Sequence, residues 1–157
     1  MSIYAAKDRL RRFIEESGGN VFQRGKPDSQ RPKHLADLRV SIIAAPFEQA
    51  FAIVLQNLLN QKCDSKRVDL GILLREYEGE VRHIAETSDI LCITFYRLDE
   101  RFVNGLATAL KSENPDIKIV VIDSDHIARN RMIDAFFSKD NFNIRNFLDT
   151  LVDLAKQ

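Results

Sequence analysis

The chain has no tryptophan, two cysteines, three histidines and no formal net charge. Each shortage removes a class of function. Cys63 and Cys92 stand far apart, without a CxxC spacing or a neighbouring histidine, so neither a metal centre nor a disulfide framework is expected, and no cofactor is. Equal numbers of basic and acidic side chains give no global field to attract a nucleic acid or a membrane surface. No apolar run approaches the length of a membrane span, and the amino terminus lacks the apolar core of a secretory leader; the reading is cytoplasmic. No glycine-rich phosphate loop follows the first apolar run, and no GxSxG elbow occurs. What remains is an ordinary soluble composition, 45% hydrophobic and 29% charged, over 157 residues, enough for one domain with an extension.

The charge is unevenly placed. Residues 1–39 carry nine basic and five acidic side chains, so this part is +4 and the remainder −4. Within residues 1–19 the apolar side chains Ile3, Tyr4, Ala6, Leu10, Phe13 and Ile14 recur at close to helical spacing, and Gly18-Gly19 stops the pattern. This predicts an amphipathic helix. Its apolar stripe either packs back on its own domain or serves a second copy or a protein partner; a membrane surface fits less well, because the stripe is short. Residues 20–37, with Gly25, Pro27 and Pro32 among basic and polar side chains, read as a flexible basic linker. Phe22 is its lone aromatic, and the interleaving of charge and rings that suits nucleic acid is missing.

Residues 38–157 read as one α/β domain. Apolar runs at LRVSIIAA, RVDLGILLR, DILCITFYRL, IKIVVIDSD and DAFFSKD are the expected strands. Between and after them lie helical patterns: one from Glu48 to Cys63 with Phe51, Val54, Leu55, Leu58 and Leu59 on one face, then 78–87, 99–112, 126–133 and 141–154. Alternation of this kind predicts a parallel sheet of five strands with helices on both faces and right-handed crossovers. Ligands of such sheets bind beyond the carboxyl ends of the strands, so the expected exits are Ala44-Ala45-Pro46, Arg75-Glu76, Thr94 to Arg97, Asp123 to His126, and Ser138-Lys139-Asp140. Asp123, Asp125 and His126 lie close together, but three ligands on one short loop rarely suffice for a metal, and a helix cap explains Ser124 or Asp125 more simply.

The segment from Ile117 to Leu154, above all DAFFSKD, resembles the end of a response-regulator receiver domain, the chemotaxis-Y-like family. Lys139 falls on the family's lysine and Phe136 on its switch aromatic; LRVSIIAAP and SDILCITFYRLDERFVNGLATALKSENPD resemble its first strand and its third strand and helix. The resemblance covers Leu38 to Leu154 and implies a flavodoxin-like sheet of strand order 2-1-3-4-5. The departures are at the chemistry. Where a receiver has its acidic metal pair, this chain has Ala44 and Ala45; where it has the phosphate-accepting aspartate, Thr94; and at the end of strand 4, Asp123 with Ser124 beside it. Alanine offers magnesium no oxygen, and aspartyl phosphorylation needs a carboxylate.

These departures imply a degenerate pseudo-receiver, not an enzyme: a regulatory or adaptor module working through protein–protein contact, with Lys139 expected to pair with Asp123. A homodimer is expected, through Tyr4, Leu10, Phe13 and Ile14 of the N-terminal helix, or through the last helices and strand with Arg129, Arg131, Asp134, Arg145 and Asp149. The alternative is a small-molecule domain, for nucleotide or sugar, using the altered pocket; Phe95 and Tyr96 at its mouth weigh against that. The three residues after Leu154 would not hold a DNA-binding output module, so none is expected.

Overall fold

The structure is a computed structural model and describes residues 34–95, 100–123 and 131–157. The N-terminal helix expected over residues 1–19, and the linker up to Lys33, lie outside the described residues. Five parallel strands form one sheet in the order β2-β1-β3-β4-β5: β1 (Arg39–Ala44), β2 (Asp64–Val68), β3 (Ile90–Phe95), β4 (Lys118–Asp123) and β5 (Ala135–Ser138). The helices are α1 (Gln49–Asn60), α2 (Leu70–Arg75), α3 (Tyr77–Thr87), α4 (Glu100–Glu113) and α5 (Ile144–Ala155). Short 3-10 turns precede β1 (Leu35–Asp37) and α1 (Pro46–Glu48). The expected flavodoxin-like arrangement is the one observed.

The sheet is covered on both faces, and its central strands show why they are apolar throughout. In β4, Val120 and Ile122 point to the layer made with α1 and α5, around Leu55, Leu59, Phe147 and Leu151. Ile119 and Val121 point to the layer made with α3 and α4, around Val81, Ile84, Val103, Leu106 and Leu110. A strand buried on both faces cannot alternate apolar with polar residues, and this one does not.

Three expectations are corrected. The second strand is Asp64–Val68, not the apolar run RVDLGILLR, most of which is helical. β2 is an edge strand and needs few apolar side chains; its place is set by backbone pairing with β1, Arg39 opposite Asp64 through Ile43 opposite Val68. Asp69 then turns the chain, its carboxylate accepting from the Ile72 amide at 3.1 Å as an N-cap, and α2 buries Leu73. The exit of β2 is therefore Val68-Asp69 rather than Arg75-Glu76.

The second correction concerns α1. Leu55 and Leu59 are buried with Ala52, and Phe51 packs at the edge of the core, but Val54 and Leu58 face outward. The third concerns the end of the helix expected over residues 126–133. Residues 126–130 lie outside the described part; Arg131 and Met132 form a turn and Ile133 is not helical.

The start of β5 is pinned from inside. Asp134 Oδ2 accepts from the Ile119 amide at 2.8 Å and from Lys111 Nζ at 2.9 Å, while the same Lys111 ammonium donates to Ile117 O. This clip joins the end of α4 to the entrances of β4 and β5.

Candidate functional site

Parallel pairing brings the expected pocket residues into a row along the carboxyl edge of the sheet. Ala44 lies opposite Thr94, Phe95 opposite Asp123, and Asp123 opposite Ser138, with Lys139 next in the chain. Ala44 and Ala45 are buried, at 3% and 2% exposure, and present only methyl groups. Thr94, at 1% exposure, turns its hydroxyl back into the sheet, donating to Ile43 O at 3.4 Å. Asp123 is buried too, and its carbonyl accepts the Lys139 amide at 2.9 Å. Ser124 and Tyr96 lie outside the described residues, as do Asp125 and His126.

Strand order led to the expectation that Lys139 pairs with Asp123; the structure corrects this, for the Lys139 side chain does not meet the Asp123 carboxylate. It reaches the other way, to Glu48 Oε2 at 2.5 Å. Glu48 closes the 3-10 turn between β1 and α1 and is almost wholly buried, its side chain 3% exposed against 33% for Lys139. The physical reason is a demand for charge balance. A buried carboxylate at the entrance of α1 requires a cation, and Lys139 is long enough to supply one. The ammonium also lies 5.4 Å from the Phe51 ring centroid, within the range of a cation–π contact.

Below this pair is an aromatic cluster. Phe51 of α1 meets Phe142 edge-on at 5.5 Å, and Phe142 packs on Phe137 and Phe147 at 6.2 and 5.2 Å. The two phenylalanines of β5 thus part ways: Phe137 enters this cluster, and Phe136 packs on the opposite layer.

Sequence reasoning missed Glu48. One signal could have found it: Glu48 is the sole acidic residue between Leu38 and Cys63, and it stands four residues beyond the end of β1. Of the expected interaction surface, Arg131, Arg145 and Asp149 are exposed, whereas Asp134 is taken up by the clip with Lys111 and Ile119. Arg129 and the N-terminal residues Tyr4, Leu10, Phe13 and Ile14 lie outside the described residues.

Among the described residues no three histidine, cysteine, aspartate or glutamate side chains converge to hold a metal ion. No described helix is long and apolar enough to cross a membrane. Both cysteine thiols are buried, and burial raises their pKa: Cys63 is pushed up to about 11, Cys92 further still. Neither is an activated nucleophile. A cleft of about 510 Å³ opens at the exits of β1 and β2, between Ala44, Gln49, Arg67 and Asp69, to one side of the Lys139 row. Two of its polar groups are engaged within the chain, Gln49 donating to Ala44 O and Arg67 to Gln56 Oε1.

Comparison with solved structures agrees with this geometry. The response regulator receiver domain protein of Bacillus halodurans superposes with a TM-score of 0.55 at 16% identity, over 76% of this chain and 97% of its own. The fold is that of a receiver domain. The CheY-like protein TadZ of Pseudomonas aeruginosa gives 0.57 at 16% identity, over 73% and 98% of the two chains. CpaE of Burkholderia thailandensis, assigned to pilus assembly, gives 0.59 at 15% identity, over 76% and 99%. At these identities the likeness concerns the fold, and the work of those proteins is not carried over with it. No sequence profile of a known family matches the chain, and no curated protein matches it in sequence.

Proposed function

We propose that this receiver-fold chain is a pseudo-receiver: a non-enzymatic regulatory or adaptor module that acts by protein–protein contact without phosphorylation. One observation carries the reading. The lysine that in a receiver would answer to a phosphoryl group is held by Glu48, a carboxylate of the chain itself. The residues in the acidic and acceptor positions, Ala44, Ala45 and Thr94, supply neither metal ligand nor acceptor. The receiver framework is kept while its switching chemistry is replaced by a fixed internal ion pair. Such a module has a single resting shape to offer a partner.

Homodimerisation belongs to the same proposal. The exposed Arg131, Arg145 and Asp149, at the β5–α5 side, offer charges of both signs that a two-fold axis could pair. The decisive experiment adds magnesium with beryllofluoride, or acetyl phosphate, to the whole chain. The expected result is no stoichiometric uptake and no spectral change centred on Lys139 or Thr94. Uptake of one equivalent would end the pseudo-receiver reading. Sedimentation of the wild type against Arg145→Glu tests the dimer, the variant being expected to run as a monomer.

The cleft beside Ala44 and Asp69 favours one second reading, a small-ligand site at the strand exits. Its volume lies within the usual range for ligand pockets. Its engaged polar groups support that reading less than Glu48 and Lys139 support the first.

A further inference from the structure

The α1 helix has an unusual surface. Its twelve residues, QAFAIVLQNLLN, include no charged side chain, in a chain that is 29% charged. Its inner side buries Ala52, Leu55 and Leu59. Its outer side leaves Ile53, Val54 and Leu58 at 42%, 57% and 38% exposure. Ala50, Val54 and Leu58 fall at i, i+4 and i+8 and so form one line along the helix, with Ile53 beside it. The solvent side of a surface helix ordinarily carries the charges, and a contiguous uncharged apolar stripe marks a contact surface.

We propose that this outer face of α1 is the docking site for the chain's own N-terminal segment, residues 3–14. The proposal goes beyond the pseudo-receiver reading and does not depend on it. Four observations point to this occupant. First, the sequence of residues 3–14 carries an apolar stripe, Ile3, Leu10, Phe13 and Ile14, that itself needs a cover. Twelve residues of helix are about 18 Å long, the length of α1.

Second, the described chain begins on the side of the sheet that α1 shares with α5, its first turn, Leu35–Asp37, lying against α5. Leu35 packs into the core layer that holds Leu59, and Leu38 O accepts the Asp64 amide just beyond the end of α1. Third, the sequence between residue 14 and the first described residue is long enough: a random coil of that length reaches about 24 Å, and an extended one about 60 Å. Fourth, residues 1–33 carry eight basic and four acidic groups, a net +4, and the remainder of the chain is −4. Opposite net charges draw the segment back to the domain. A tethered segment also acts at an effective concentration near the millimolar range, which a second copy at micromolar concentration does not match.

The test uses the full chain with Val54→Cys, the native Cys63 and Cys92 being buried. Alkylation of the new thiol is expected to be slowed about tenfold relative to the same chain carrying Leu10→Asp and Phe13→Asp, the protection given by a docking equilibrium of about ten to one. Equal rates would overturn the proposal. Pairing Val54→Cys with Phe13→Cys under mild oxidation separates the two possible sources of cover. A disulfide within one chain supports docking in cis; a disulfide-linked dimer assigns the face to a second copy and overturns it. Circular dichroism of each variant confirms that the domain stays folded, as expected for changes outside its core.

Discussion

Glu48 and Lys139 lie 91 positions apart in the chain and meet as an ion pair at the carboxyl edge of the sheet. Glu48 follows β1 and Lys139 follows β5, while β3 and β4 lie between those strands in the sheet. The pair therefore spans the strand ends where a receiver does its chemistry, and it fastens the entrance of α1 to the loop leading into α5. Its two partners are unequally placed. Glu48 is enclosed and Lys139 is one-third open to water, so loss of the cation leaves a charge in the interior, whereas loss of the anion leaves a cation that can swing to solvent.

That asymmetry makes the first prediction. Lys139→Met should destabilise the domain by about 2–3 kcal/mol, somewhat below the cost of breaking a fully buried pair. Glu48→Gln should cost less, about 1 kcal/mol. In the double variant the two losses should not add; a coupling of at least about 1 kcal/mol is expected from urea denaturation of the four proteins. Additivity would show that the two side chains do not depend on each other.

Thr94 makes the second. Among the described residues its hydroxyl bonds to the Ile43 carbonyl alone, at the long distance of 3.4 Å, so Thr94→Val should change stability by no more than about 1 kcal/mol. Thr94→Asp should cost at least about 3 kcal/mol, because it sets a carboxylate beside that carbonyl in a buried place. Thermal melts of both variants read the difference. A Thr94→Asp protein as stable as the wild type would mean that the pocket is more open than its burial indicates.

How far the sequence carries depends on what fixes each element. The central strands β1, β3 and β4 are legible because burial on both faces leaves a continuous apolar run in each. β2 is not, because an edge strand is placed by its hydrogen bonds to β1, and a sequence such as DSKRV shows no burial signal. The neighbouring LGILLR looks more strand-like, yet Asp69 caps it and Leu73 buries it as a helix. At the carboxyl edge, Ala44 and Thr94 lie opposite each other because the register of parallel strands follows from the same apolar runs. The partner of Lys139 was beyond that reasoning. Strand order brings Asp123 near it, but the choice between two carboxylates is made by where the β1–α1 turn buries Glu48, which depends on tertiary packing.

The cysteines give a prediction in alkali. Burial holds Cys63 at about 11, above the ordinary 9.0, and shifts Cys92 in the same direction. The folded state then keeps thiol protons that the unfolded chain gives up. The Cys63 contribution is fully present below pH 9 and is lost as the pH rises through about 11, and Cys92 acts in the same direction. The urea midpoint of the wild type should fall across this window. A Cys63→Ala, Cys92→Ala protein should show a smaller fall, although it is less stable at neutral pH. Both native thiols should also resist alkylation at pH 8 until the chain unfolds. Rapid labelling under native conditions would contradict their burial.

The clip at the entrance of β5 makes the last prediction. Asp134 is the acceptor for both the Ile119 amide and Lys111 Nζ, and its side chain is 19% exposed. Asp134→Ala leaves the Ile119 amide without this acceptor and the Lys111 ammonium with the Ile117 carbonyl but no counter-charge, and should cost about 2–3 kcal/mol. Lys111→Met removes the cation but leaves the Asp134–Ile119 bond, and should cost about 1 kcal/mol. Among the described residues β5 is an edge strand of four residues paired with β4 alone, so it should respond first. Hydrogen exchange at the β5 amides should speed up in Asp134→Ala by more than at the β3 amides, because local opening of an edge strand needs no disruption of the core. Uniform acceleration over the whole sheet would instead mean that the clip stabilises the domain as a unit and does not hold β5 in particular.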